Sequence, residues 1–322
     1  MTNEPTAATA VAAHRAPVIE FDAVTKRYAP PPGAPRPDRP AVDSFSATVP
    51  SGSTTVLLGS SGCGKTTLLR MVNRMVEPTG GRILLDGEDV LVRDPVGLRR
   101  SIGYVMQNAG LLPHRRVIDN ITLVPRLTGA DRSGAARRAR ELMDLLGLDP
   151  DLARRYPRQL SGGQAQRVGV ARALAADPEV LLMDEPFGAV DPLVRRELQR
   201  EMVRIQAELG KTIIFVTHDV DEALALGDEI ILLREGARVA QRGSGAELLA
   251  EPADDFVARF LGLDDAARQL RLKDVADTRI VLDRAGRAVG RLSDDLVTST
   301  GAEQTVQATE VVEAMKPAGK RA

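Results

Sequence analysis

Gly59-Ser60-Ser61-Gly62-Cys63-Gly64-Lys65-Thr66 is the stretch that decides the fold. A short apolar run, Thr54-Thr55-Val56-Leu57-Leu58, leads into it, and Lys65 to Val76 leads out at helical spacing. The stretch fits G-x-x-x-x-G-K-[ST] at every fixed position, in the strand-then-helix context that makes the match meaningful. Its glycines let the backbone curl so that successive N–H groups point inward and cradle β- and γ-phosphates. The helix starting near Lys65 offers its unsatisfied N–H groups and positive dipole end to the same anion. Lys65 adds a point charge, and the Thr66 hydroxyl is suited to coordinate Mg²⁺. Cys63, the one cysteine of the chain, reads as a small residue that leaves room for the nucleotide, although a helix N-terminus lowers a thiol's pKa.

Further along, Val180-Leu181-Leu182-Met183 is an apolar run that ends in Asp184-Glu185. Two carboxylates at the end of such a strand fall at the C-terminal edge of a parallel sheet, where α/β proteins bind ligands. Asp184 suits water-mediated Mg²⁺ binding, and Glu185 suits the general base for an attacking water. A third run, Thr212 to Thr217, delivers His218 to the same edge, within reach of a γ-phosphate. Leu160-Ser161-Gly162-Gly163-Gln164 precedes a helical stretch, Gln164 to Ala176. Ser161 is a good N-cap and the paired glycines expose backbone N–H groups, which makes a second phosphate-binding surface on one chain.

Brief runs of apolar or β-branched residues alternating with helical patterns describe strands buried on both faces of a parallel sheet, so the core is α/β. Val18 to Phe21 reads as the first strand, with Val24 and Tyr28 beyond it, and Ala41 to Val49 as a half-buried strand. Ala29 to Pro40 is proline-rich and reads as a surface insertion between the two. Ile83 to Leu85 and Ile102 to Val105 are further short strands, and Arg132 to Leu146 is a helix. After about Gly262 come an amphipathic helix candidate, Asp264 to Leu272, and a hairpin of Ile280 to Leu282 with Ala288-Val289. Residues 1–17 and the polar tail from about Thr298 read as disordered ends.

The chain has 322 residues, with 43 Lys+Arg against 44 Asp+Glu and a formal charge of −1. That balance offers no global field for nucleic acid, and no nucleic-acid partner is expected. A single cysteine excludes an intrachain disulfide framework and suits a reducing compartment. No run of about 18 or more apolar residues occurs, and the N-terminus lacks the pattern of a secretory signal. A cytoplasmic protein is expected.

Taken together, these motifs resemble the ATP-binding cassette (ABC) ATPases over about Val18 to Phe260. The resemblance implies a P-loop NTPase of ABC type at residues 18–262. Such a domain has a RecA-like core with a mainly parallel sheet, an antiparallel β part and a helical subdomain at about 108–176. A short α+β extension, 263–322, follows. By resemblance, Gly59 to Thr66 with Thr67 is the Walker A loop for ATP, Asp184 closes Walker B, and Leu160 to Gln164 is the signature motif. Gln107 falls at the Q-loop position, touching Mg²⁺ and the attacking water. Gly188-Ala189-Val190-Asp191 matches the D-loop, with Val190 where Leu is more usual, and Tyr28 matches the aromatic residue that stacks on adenine. The family pairs two cassettes head to tail, each ATP lying between one Walker A loop and the partner's signature motif. A homodimer attached to an integral membrane permease, and through it to a substrate-binding protein, is therefore implied at the cytoplasmic face of the membrane.

Gln107 to Arg115, Val117 to Asn120 and Val124 to Leu127 are similar to importers of glycine betaine, choline, carnitine or proline. Importers of polyamines, sulfate or other amino acids share part of this pattern and form the alternative. A soluble ABC ATPase without a membrane partner is the remote one. Ala165 stands where relatives often have Gln. The paired CBS domains of this subfamily exceed the 60 residues after Gly262, which reads at most as a degenerate remnant.

Overall fold

Buried apolar runs become the centre of a single sheet, and their order sets where the chemical groups emerge. The structure, a computed structural model, describes residues 16–29, 39–188, 192–263, 271–275, 278–282 and 288–291. The chain begins with β1 (Ile19–Lys26), β2 (Val42–Val49) and β3 (Thr54–Gly59), followed by α1 (Lys65–Val72). Next come β4 (Gly80–Leu85), β5 (Glu88–Asp89), α2 (Pro95–Ser101) and β6 (Ile102–Val105). A helical stretch holds α3 (Val117–Ile121), α4 (Leu123–Leu127), α5 (Arg132–Leu145) and α6 (Gly162–Leu174). The α/β pattern resumes with β7 (Val180–Asp184), α7 (Pro192–Leu209), β8 (Thr212–Thr217), α8 (Val220–Leu226) and β9 (Glu229–Arg234). Last are β10 (Arg238–Gly243), α9 (Gly245–Ala250), α10 (Asp255–Phe260), β11 (Arg271–Val275), β12 (Thr278–Leu282) and β13 (Ala288–Arg291).

The central sheet has six strands in the order β10-β9-β3-β8-β7-β6. All neighbours pair in parallel except β10, which runs antiparallel to β9. Alternate residues of each strand feed two separate apolar clusters. Val56, Leu58, Leu181, Met183, Ile213 and Phe215 pack with the buried faces of α5, α6 and α7. Leu57, Val180, Leu182, Ile214 and Val216 pack instead with α1 and the inner faces of β1, β2 and β4. Both faces are covered, which is why these strands read as continuous apolar runs. A second, antiparallel sheet, β2-β1-β4-β5, forms the lid of the latter cluster. Its β2 alternates buried and exposed residues over most of its length, as a one-sided strand must.

Register brings the C-terminal ends of the parallel strands level. Leu58 lies opposite Thr217, Val216 opposite Asp184, and Met183 opposite Val105. The residues just beyond these ends therefore share one edge.

Several boundaries differ from the sequence reading. Strand β1 starts at Ile19 rather than Val18 and continues through Val24 to Lys26, with irregular pairing around Ala23. Helix α1 stops at Val72 rather than Val76, because Arg74 takes a positive φ of 55° and the Asn73 side chain accepts from Met75 N–H. Helix α6 begins two residues early, at Gly162, so the paired glycines are its first turn, and it ends at Leu174. Arg271 and Leu272, read as the end of a helix, belong to β11; the rest of that candidate, 264–270, lies outside the described residues. The expected hairpin is present, Leu282 opposite Ala288, with β11 added as a third antiparallel strand. The expected α+β extension is thus all β among its described residues after Leu263. Most of the proline-rich insertion also lies outside them.

Candidate nucleotide-binding site

The turn from β3 into α1 is shaped by close backbone approach. A Cβ on Gly59 would meet Leu233 O at 2.7 Å, and one on Gly64, at φ 112°, would meet Ala41 O at 2.5 Å. Only glycine fits either place. Gly64 caps α1 without any side-chain hydrogen bond, so the first N–H groups of the helix stay available to an anion. Lys65 is only 4% exposed, and its ammonium donates to Gly59 O at 2.7 Å and Ser60 O at 2.8 Å. A phosphate in the cradle would exchange these carbonyl bonds for charge-assisted ones. Cys63 is buried beneath the loop: it is 1% exposed and packs in the apolar cluster there. A Cβ on Gly59 would also lie 2.9 Å from its sulfur, a second reason for glycine at position 59.

Beside the loop stands Asp184, 6% exposed at the end of β7. The Thr66 hydroxyl donates to its Oδ1 at 2.7 Å and the Tyr104 phenol to its Oδ2 at 3.2 Å. Arg70, one helical turn on from Thr66, lies 3.7 Å from Oδ2. Hydrogen bonding to Tyr104 holds the Arg70 guanidinium above its ordinary pKa, and burial pushes the Tyr104 phenol up. Neither Tyr104 nor Arg70 was singled out in the sequence. Tyr104 sits in a strand with no motif, and only its register opposite Leu182 of β7, two residues before Asp184, reveals it.

Glu185 takes the next position with φ 44°, a left-handed conformation unusual for a side chain of this size, and its N–H donates to Val216 O at 2.9 Å. Its carboxylate is turned toward two groups from neighbouring strand ends. Gln107 Nε2 donates to Oε2 at 3.1 Å, and His218 Nδ1 lies 3.4 Å from the same oxygen. The structure thus joins Gln107, Glu185 and His218, and separately Thr66 with Asp184.

Tyr28 is 48% exposed and stands against the start of α1, its phenol oxygen 3.4 Å from Thr67 Oγ1. Lys26 Nζ lies 5.2 Å from the centre of its ring. An exposed ring beside a phosphate cradle can stack on a base.

Ser161 caps α6 as expected, accepting from Gln164 N–H at 3.2 Å, while Gln164 Oε1 accepts from Ser161 N–H at 3.0 Å. This reciprocal capping box occupies the Ser161 and Gln164 side chains with each other. Among the described residues no hydrogen bond joins them to the Gly59–Thr67 group. Asp191, with Ala189 and Val190, lies outside the described residues.

Residues 42–188 match the family described as ABC transporter. An osmoprotectant import ATP-binding protein of Salmonella typhimurium is 49% identical over 261 residues, 81% of this chain and 67% of its own length. The glycine betaine/carnitine/choline transport ATP-binding protein of Bacillus subtilis is 50% identical over 76% of this chain and 62% of its own. A glycine betaine uptake system ATP-binding protein of Escherichia coli is 49% identical over 81% of this chain and 82% of its own. The chain belongs to the ABC transporter ATP-binding proteins. The chain thus spans about two thirds or less of the length of the first two relatives.

Among solved structures, this ABC cassette is similar to the dimeric bacterial ABC transporter cassette MJ0796, with TM-score 0.64 and 31% identity over 70% of this chain and 98% of that one. A post-hydrolysis dimer of MJ0796 bound to ADP and Pi gives TM-score 0.64 at 30% identity over 70% of this chain and 98% of that one. The expected fold, a mainly parallel P-loop sheet with an antiparallel part, is the one observed. Among the described residues no group of three or more His, Cys, Asp or Glu could hold a metal, and no helix is long and apolar enough to cross a membrane. The cassette's hard oxygen donors, the Thr66 hydroxyl and the Asp184 carboxylate, fit Mg²⁺ shared with a nucleotide's phosphates.

Proposed function

We propose that this chain is the ATP-hydrolysing, energy-coupling subunit of an ABC importer for osmoprotectants of the glycine betaine, choline or proline type. The observation that carries the reading is the meeting of Gln107, Glu185 and His218 beside the Thr66–Asp184 pair, at the mouth of a glycine cradle. In this account the backbone of Ser60 to Thr67 and the Lys65 ammonium bind the β- and γ-phosphates of ATP, and Tyr28 stacks on the adenine. Thr66, Asp184 and Gln107 would hold Mg²⁺, which would supply charge neutralisation on the phosphates.

Glu185 accepts the proton of the attacking water as general base. Gln107 and His218 fix the orientation of its carboxylate, and His218 would donate to a γ-phosphate oxygen. Two chains pair head to tail, so that Ser161, Gly162, Gly163 and Gln164 of one meet the ATP held by the other, with Asp191 at the seam. Closing and reopening of this dimer move an integral membrane permease, which is fed by a substrate-binding protein. The chain would then sit at the cytoplasmic face of the membrane. The solute class is supported by the printed functions of the relatives, whose names cover osmoprotectant, glycine betaine, carnitine and choline transport.

The direct test is ATP turnover by the purified chain and by Glu185→Gln. The reading expects phosphate release by the wild type and a loss of roughly 10²–10⁴-fold in the variant with nucleotide binding retained. Equal turnover by the two proteins would remove Glu185 from this role.

A further inference from the structure

The backbone that presents Gln107 is held from outside. After β6 the chain turns through Met106 to Gly110, with successive left-handed residues at Ala109 (φ 55°) and Gly110 (φ 57°). Ala109 is a non-glycine residue in a costly conformation, which persists only where its surroundings impose it. Those surroundings are one face of α6. Arg172 Nη2 donates to Ala109 O at 2.7 Å and Nη1 to Gly110 O at 2.6 Å. One turn earlier, Gly169 leaves room for the buried Ala109: a Cβ there would stand 3.3 Å from both its Cα and its Cβ. Another turn back, the buried Gln166 reaches Met106 O at 3.5 Å. Residues 166, 169 and 172 follow helical i, i+3 spacing, so a single stripe of α6 grips the whole turn.

Arg172 forms no ion pair with a carboxylate among the described residues, and both of its hydrogen bonds go to main-chain oxygens. Its work is therefore geometric. A planar fork can bind two adjacent carbonyls at once, which a lysine ammonium cannot reproduce. The same helix begins at the Ser161 cap, and Gln107 at the other end of the contact touches Glu185.

We infer that Arg172 is a positioning residue for ATP hydrolysis: it locks the 106–110 turn that aims Gln107 at Glu185 and ties this turn to the helix opening at Ser161–Gly163. The inference rests on the ATPase reading above. Any displacement of α6 at its N-terminus is then passed to Gln107, which links the surface offered to the partner's nucleotide with the chain's own site.

The test uses the full-length chain and its Arg172→Met, Arg172→Lys, Gln107→Ala and Arg172→Met/Gln107→Ala variants. For each, ATP turnover, affinity for a fluorescent ATP analogue and amide hydrogen exchange are measured. Arg172→Met is expected to lower kcat about tenfold or more while nucleotide affinity stays within about twofold. Arg172→Lys should fall between it and wild type, and amides 107–111 should exchange faster in both. The double variant should lose no more than the weaker single variant, because the two residues act as one unit. Losses that multiply, unchanged kcat in Arg172→Met, or unchanged exchange at 107–111 would overturn the inference. Absence of turnover in the wild type would instead strike the ATPase reading, and hydrogen exchange alone would then decide whether Arg172 holds the turn. If Arg172→Met does not fold, Arg172→Lys carries the same comparisons.

Discussion

Glu185 is held by its main chain as much as by its side chain. The left-handed turn after β7 and the bond from its N–H to Val216 O place the carboxylate beside Gln107 and His218. Replacing it by Gln keeps the shape and removes the proposed base, so Glu185→Gln should bind ATP, accumulate as a closed dimer on gel filtration and lose turnover. Lys65→Ala acts one step earlier: titration with a fluorescent nucleotide should show weakened binding, because the buried ammonium is the charge proposed to meet the phosphates. A third residue-scale prediction concerns pH. Glu222 lies behind His218, buried, accepting from Thr217 Oγ1 at 2.6 Å with Arg195 at 3.7 Å and Asp219 nearby. Burial pushes its carboxyl above the ordinary range. A raised folded-state value gives stability that is fully present below the unfolded value and is lost as pH rises through the folded one. Denaturant unfolding across that window should show the wild type losing stability relative to Glu222→Gln as pH increases; a constant difference would contradict the shift.

Among elements, the β3-to-α1 turn is the most constrained. Gly64 combines a positive φ with a 2.5 Å approach to Ala41 O, so Gly64→Ala is strained twice over. It should destabilise the chain by about 1–3 kcal/mol in urea unfolding and weaken nucleotide binding, since the cradle cannot close without that conformation. This turn was legible because its residue types are dictated by backbone geometry. The signature helix was legible for a related reason, Ser161 being a capping residue at the head of an apolar stretch. Gln164 was legible only as a motif member; its reciprocal cap with Ser161 appears once the helix starts at Gly162. Tyr104, Arg70, Arg172 and Arg195 were not legible at all. Each meets its partner from a distant part of the chain, Tyr104 and Asp184 being 80 residues apart, and no local pattern marks such a pair. Cys63 was legible as a small residue of the loop, and only the packing shows its side chain buried in the apolar cluster.

For the whole molecule, a sheet covered on both faces by two separate clusters explains why its apolar strands stood out, and why α/β followed from them. Strands β9 and β10 extend that sheet beyond β3 without a motif to announce them, and they matter chiefly because Leu233 O presses on Gly59. The last small sheet, β11-β12-β13, was only partly read, since a five-residue stretch such as Arg271–Val275, with only Leu272 and Val275 apolar, does not by itself separate helix from strand. The central claim is that this cassette drives osmoprotectant uptake through Glu185. The measurement that tests it most directly is uptake of labelled glycine betaine, choline, proline and spermidine by cells lacking the gene, complemented with wild type or Glu185→Gln. Restored glycine betaine, choline or proline uptake with the wild type alone is the predicted result. Restoration of spermidine uptake only, no restoration of any solute, or equal restoration by Glu185→Gln would contradict it.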